Sequence, residues 1–170
     1  INIRHKLHMY PELAYEETET ARLICDHLKA LGIEVKANIA KTGVVGLIRS
    51  GHPGKTIALR ADMDALPILE ENDCDYASTI PGKMHACGHD VHITCLLGAA
   101  EILMRLRNRI NGNVKLIFQP AEESTGGALP MIEAGVLSHP SVDACIAAHV
   151  WPETPVGKIE LKHGAIMASP

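Results

Sequence analysis

Aromatic residues are scarce in this sequence: Phe, Trp and Tyr make up 3% of its 170 residues, with one Trp and one Phe. So small a supply speaks against a base-stacking platform for nucleic acid and against an aromatic-rich binding face. Runs of basic residues are lacking too. Sixteen Lys and Arg stand against twenty Asp and Glu, for a net charge of -4, which argues against nucleic acid and an anionic membrane surface as partners. No apolar run approaches the roughly 20 residues a membrane-spanning helix requires, and no signal-peptide pattern is visible. Cys-x-x-Cys pairs are missing as well. The five cysteines (Cys25, Cys74, Cys87, Cys95 and Cys145) follow no repeated spacing. Their odd number and scatter speak against a disulfide framework and for a reducing, cytoplasmic setting.

What is present reads as an ordinary globular chain, 46% hydrophobic and 21% charged, long enough for one domain with a proper core. The pattern predicts helices over Ile3 to Met9, Glu16 to Leu31, Val91 to Arg107 and Gly127 to Ala134. Strands are predicted over Ile33 to Ile39, Gly43 to Ile48, Thr56 to Ala61, Asn113 to Phe118, Val142 to Ala148 and Val156 to Leu161. The alternation indicates an α/β fold, with a largely parallel or mixed sheet sandwiched between helices. Pro67 to Lys83 has little periodicity, and a loop of that length is usually functional. The chain starts at Ile1 inside a helical pattern and stops at Ala168-Ser169-Pro170 without a closing element, which reads as a segment of a longer protein.

The chemistry concentrates in Met84-His85-Ala86-Cys87-Gly88-His89-Asp90-Val91-His92. Thiolate and imidazole donors at this density suit a transition metal, because both bind through deprotonated lone pairs. A polar loop with an inert cysteine and capping histidines is the plainer alternative. Placing the other polar residues on the predicted elements favours the metal. Asp62 and Asp64, then Glu122 and Glu123, then His149, each follow a predicted strand, and ligands of open α/β sheets sit beyond the carboxyl ends of the strands. One thiolate, two imidazoles and carboxylates suit zinc, manganese, iron, cobalt or nickel. Glu122 and Glu123 offer a division of labour, one binding metal and one acting as base, against the alternative of a solvated loop. Asp64 is a candidate to orient a ligating histidine; Asp62 is a candidate for the same role or for direct ligation. His85 and His92 read as hydrogen bonders flanking the cluster, the remaining histidines, His8 among them, as structural or exposed, and Trp151 as a wall of the crevice or packing beneath it.

Taken together, Leu7 to Leu13, Leu59 to Pro67, Met84 to His92, Gln119 to Glu123 and His149-Val150-Trp151-Pro152 resemble the M20 metallopeptidase family. Within it they are most similar to the amidohydrolase branch, which includes N-acyl-amino-acid amidohydrolases, hippurate hydrolases and auxin-conjugate hydrolases. The resemblance implies two divalent metal ions (manganese, zinc, nickel or cobalt) held by Cys87, His89, Glu123 and His149. It implies Glu122 as general base, with Asp64 supporting the site, and an N-acyl amino acid or peptide as substrate. Where the wider family has a histidine ligand this chain has Asp62, which is therefore not assigned as one. The resemblance also implies that residues 1–170 are the N-terminal portion of the catalytic domain. The inserted lid domain, through which the parent protein would form a homodimer, and a final histidine ligand would lie elsewhere. On that reading the isolated segment binds metal weakly and does not turn over.

Three other functions fit some of these features. The same fold suits a dipeptidase or aminopeptidase, although the Cys87 motif favours acyl amino acids. A non-catalytic metal-binding fragment is a further alternative, weakened by donors that come from distant segments rather than from paired spacings. Cys87 as the nucleophile of an amidase is the last.

Overall fold

The computed structural model describes residues 1–164. Five strands form one sheet: β1 (Glu34–Ile39), β2 (Gly43–Arg49), β3 (Thr56–Asp62), β4 (Asn113–Gln119) and β5 (Ala144–Ala147), in the spatial order β1-β2-β4-β3-β5. The helices are α1 (Asn2–Met9), α2 (Thr18–Ala30), α3 (His89–Arg105) and α4 (Ala128–Glu133), with a 3-10 turn at Arg107–Arg109. Strands β3, β4 and β5 run parallel, whereas β2 is antiparallel to β4 and β1 to β2. The sheet is therefore mixed. The antiparallel edge follows from the short link between β1 and β2, where Ala40 and Lys41 both adopt positive φ, 48° and 77°. So short a link can only join antiparallel neighbours.

β2 and β4 are buried almost end to end, because helices cover both faces of the sheet. On one face, Leu7 of α1, Ile24 and Leu28 of α2, and Ile93 and Leu97 of α3 pack onto Val44, Ile48, Leu116 and Phe118. On the other, Met131 of α4 and Val136 cover Val45, Ala58 and Ile117. This second layer is thin. The loop from 63 to 88 is fastened rather than free: Leu66 and Met84 exchange backbone hydrogen bonds at 2.9 and 3.0 Å, and Ala65 N–H donates to Glu12 O at 2.8 Å.

Two expectations change. Val156 to Leu161 is not a strand; Val156, Ile159 and Leu161 lie exposed. Alternating apolar residues set which faces a strand would show, but a strand also needs a ladder partner, and none pairs with this segment among the described residues. α3 begins at His89, two residues earlier than its apolar pattern suggested, so the histidine is part of the helix. The Ala168 to Pro170 end lies outside the described residues. Among the described residues, no helix is long and apolar enough to cross a membrane.

Phe118 is fully buried on β4 in the larger core. Phe118→Ala is expected to lower unfolding stability by about 3–5 kcal/mol, read from denaturant titration.

Candidate metal centre

Each functional segment leaves the sheet at the carboxyl end of a parallel strand. β3 ends in Asp62, followed by buried Met63 and Asp64. β4 runs into Gln119 and Pro120, then into Ala121, whose φ of 52° is left-handed. Such a conformation is disfavoured for a residue with a Cβ. It is held from both sides: the Ala121 N–H donates to Glu17 Oε1 at 2.9 Å, and the Ala121 carbonyl accepts from Gly126 and Gly127, each at 3.1 Å. A Cβ on Gly127 would fall 1.9 Å from the Pro120 carbonyl oxygen, so this closed turn requires glycine there. The turn delivers the backbone N–H groups of Glu122 and Glu123 to Asp64 Oδ1 and Oδ2, both at 2.9 Å. Burial raises the Asp64 pKa, but the neighbouring His89 and these two N–H groups outweigh it and hold the carboxyl below its ordinary value.

His89 lies at the centre. It is 1% exposed, and neither ring nitrogen makes a hydrogen bond among the described residues. Leaving a buried polar group without a partner costs roughly 1–3 kcal/mol. Nδ1 faces Asp64 Oδ1 at 3.5 Å; Nε2 faces Asp62 Oδ1 at 3.6 Å, Glu123 Oε1 at 3.6 Å and Glu122 Oε2 at 3.9 Å. These separations are too long for good hydrogen bonds and set both ring nitrogens among acidic oxygens. Burial disfavours the charged imidazole, yet Asp64, Asp62 and Glu123 together lift its pKa above the ordinary histidine value.

Cys87 and His149 close the other side. Cys87 Sγ is 3.4 Å from His149 Nε2. Nδ1 of His149 contacts the Val150 carbonyl; a carbonyl can only accept, so Nδ1 is the donor there and Nε2 is turned toward Cys87. Burial, then the carboxylates of Glu123, Asp62 and Glu122, push the Cys87 thiol up to about 12. In such surroundings a thiolate needs a cation beside it. The donor atoms fall into three groups, each gathered within 4.8 Å: Cys87, His89 and His149; Asp62, His89 and His92; His89, Glu122 and Glu123. His89 belongs to all three. An orphaned buried imidazole, a thiol that cannot ionise alone and several carboxylates fit divalent cations.

The other motif residues are otherwise engaged. His92 donates from Nδ1 to Asp62 Oδ1 at 2.6 Å and accepts the Val150 N–H on Nε2 at 3.0 Å, so both nitrogens are occupied. Asp62 also receives Arg60 at 2.8 Å. Burial raises its pKa, but His92, His89 and Arg60 bring it down to about 2. The side chain of His85, expected to form hydrogen bonds, forms none among the described residues; it is buried, and burial drives its pKa down to about 4. Trp151 lines a cleft of about 800 Å³ that opens beside Cys87 and His149 and extends past His85 to Tyr76 and Arg4. That volume suits a small molecule.

Two participants were invisible in the sequence. Glu17 is one of three acids, with Glu16 and Glu19, at the start of α2, and nothing in the sequence sets it apart. His8 of α1 reaches the residue after His89: its Nδ1 pairs with Asp90 Oδ2 at 2.9 Å and its Nε2 with Glu70 Oε1 at 3.0 Å, while Arg4 Nε reaches Asp90 Oδ2 at 2.8 Å. Partners 62 and 82 residues away leave no local signature.

These observations define an α/β domain whose strand ends gather a donor set for divalent cations. Comparison with known proteins then places it. The model of Peptidase family M20/M25/M40 matches residues 58–165, and the chain belongs to this family. Thermostable carboxypeptidase 1 of Saccharolobus solfataricus is 49% identical over all of this chain and 44% of its own length. An N-acyl-L-amino acid amidohydrolase of Geobacillus stearothermophilus is 44% identical over 98% of this chain and 45% of its own. The crystal structure of the Bacillus subtilis YXEP protein, described as a dinuclear metal binding peptidase of the M20 family, superposes with a TM-score of 0.92 at 44% identity, covering 96% of this chain and 46% of that one. The chain thus spans less than half the length of these relatives.

Gly88, between Cys87 and His89, has φ 84°, and a Cβ there would stand 2.4 Å from Val150 Cγ2. Gly88→Ala should displace Val150 and with it His149. We expect about a tenfold or greater loss of metal affinity, measured by competition with a chelator. A separate expectation concerns His8. Its hydrogen bond to Asp90 lifts its pKa above the ordinary value, against burial and with help from Glu70. A raised folded pKa stabilises fully below the unfolded value of about 6.5 and loses that effect as pH rises through the folded pKa. The stability difference between the native chain and His8→Ala should therefore shrink on raising the pH above neutrality, as read from denaturant unfolding at each pH.

Proposed function

We propose that the protein containing this chain is a metal-dependent amidohydrolase that cleaves the amide bond of N-acyl amino acids, hippurate-like compounds among them. Cys87, His89, Glu123 and His149 are the proposed metal donors, Glu122 the general base and Asp64 the residue that sets their geometry. The observation that carries this reading is the convergence of donors from four segments on the buried imidazole of His89, neither nitrogen of which has a hydrogen-bond partner among the described residues. Similarity to an N-acyl-L-amino acid amidohydrolase supports the substrate class. Two divalent ions bound there would polarise the amide carbonyl and lower the pKa of a water molecule.

The chain's own groups do the rest. Glu122, with its side chain 41% exposed, takes the proton from the attacking water at its carboxylate and returns it to the departing amine nitrogen. Asp64 holds the peptide groups of Glu122 and Glu123, so a base and a donor stay side by side. His92 and Asp62 tie down the backbone at Val150, and that restrains the His149 ring. Trp151 walls the adjacent cleft, where the acyl group would sit away from water.

The reading extends to the whole protein. Residues 1–170 would be the N-terminal portion of its catalytic domain, working with a lid domain that also makes it a homodimer and with a further histidine ligand. The ions would be manganese, zinc, nickel or cobalt, and the setting cytoplasmic. A second reading, a peptidase that removes a residue from an unblocked peptide, is favoured by the likeness to a carboxypeptidase.

One experiment on the whole protein tests the proposal. Glu122→Gln should lower kcat by about 10²–10⁴-fold, the usual contribution of a general base, while metal content stays at the wild-type level. Assayed on an N-acyl amino acid and an unblocked dipeptide, the wild type should prefer the former. Preference for the dipeptide supports the peptidase, and full activity of the Gln variant defeats the assigned base.

A further inference from the structure

Glu17 stands directly before α2. Its neighbours Glu16 and Glu19 are exposed, but Glu17 is fully buried, at 0%. Its carboxylate reaches across the chain: Oε1 accepts the N–H of Ala121 at 2.9 Å, and Oε2 accepts the hydroxyl of Thr42 at 2.6 Å. One side chain thereby joins the start of α2, the link between β1 and β2, and the turn after β4. Both of these donors are neutral, and burying a carboxylate on neutral donors is unfavourable unless its hydrogen bonds are well made.

Capping α2 does not account for it, because Glu12 already does so. Glu12 Oε1 accepts from Thr18 Oγ1 at 3.1 Å and from Glu19 N at 3.0 Å, and Oε2 accepts from Thr20 N at 2.8 Å. What Glu17 holds is the peptide of the left-handed residue Ala121. Successive side chains on an extended backbone point to opposite sides. After the left-handed Ala121 the chain does not continue extended but turns over residues 122–125, and both Glu122 and Glu123 approach His89 while their N–H groups meet Asp64. Ala does not favour this conformation by itself. Without Glu17 the Ala121 N–H would be buried with no acceptor, and the turn would relax.

We infer that Glu17 is a positioning residue for the candidate active site: by clamping the Ala121 peptide it keeps the base and the metal donor on the same side of the turn. The inference rests on the reading of Glu122 as base and Glu123 as donor.

The test uses the whole enzyme, loaded with metal. Glu17→Gln keeps an oxygen for the Ala121 N–H and should retain kcat within about threefold, whereas Glu17→Ala should lower kcat at least about tenfold, with KM changed less than about twofold. Hydrogen exchange at the Ala121 to Glu123 amides should quicken in the Ala variant and stay slow in the Gln variant. A purely structural role would lower the melting temperature and the folded fraction but leave kcat per metal-loaded site unchanged, and that result overturns the inference. Equal losses in the Gln and Ala variants overturn it as well. If Glu17→Ala does not fold, Thr42→Val, which frees one carboxylate oxygen, decides: a fall in kcat of about twofold or more supports the clamp, and wild-type kcat overturns it. Should Glu122→Gln prove active, the functional reading fails, while the exchange rates still judge whether Glu17 holds the turn.

Discussion

A single carboxylate joins the two central parallel strands at their carboxyl ends: Asp64, just beyond β3, receives the consecutive N–H groups of Glu122 and Glu123, just beyond β4. The contact depends on the parallel register that sets Asp62 opposite Gln119. Were the ends offset by one residue, every side chain beyond them would change faces. Because the acceptor is charged and buried, its hydrogen bonds to N–H groups are stronger than bonds between neutral partners. The same carboxylate lies beside His89, so the strand ends and the first turn of α3 are set relative to one another by one side chain.

The electrostatics of this region are unbalanced. Asp62, Asp64, Glu122 and Glu123 surround one imidazole, and the nearby Arg60 is already shared between Asp62 and Gln119. Carboxylates brought together in a partly buried site repel one another, and burial, with those carboxylates adding to it, keeps Cys87 protonated. Cations remove both difficulties. This asymmetry separates the cluster from the Arg4–His8–Glu70–Asp90 network beneath it, where positive and negative groups pair directly and anchor the start of α3 from α1. In one network the opposite charges meet within the chain; in the other the carboxylates outnumber the cations beside them.

Rigidity here comes from backbone rather than bulk. Gly88 and Gly127 are required by close approach, to Val150 and to the Pro120 carbonyl, and Ala121 is held in a conformation it would not choose. Glu122 and Glu123 therefore sit on a short, closed turn at the end of a buried strand. Such placement keeps side chains within the narrow tolerances that catalysis and metal binding require. The exposed strand β5 and the unpaired stretch after it contrast with this.

Much was legible in the sequence because it was local. Apolar spacing announced α2 and α3, β-branched runs announced β2, β3 and β4, and the density of donors from His85 to His92 announced metal chemistry. The order of strands, the antiparallel edge, the absence of a strand at Val156 to Leu161 and the three-way contacts of His89 were decided only by tertiary structure. So was the difference between Glu17, which meets Ala121 from 104 residues earlier in the chain, and its exposed neighbours. Periodicity records which face of an element is buried; it carries no record of which distant backbone group that face will meet.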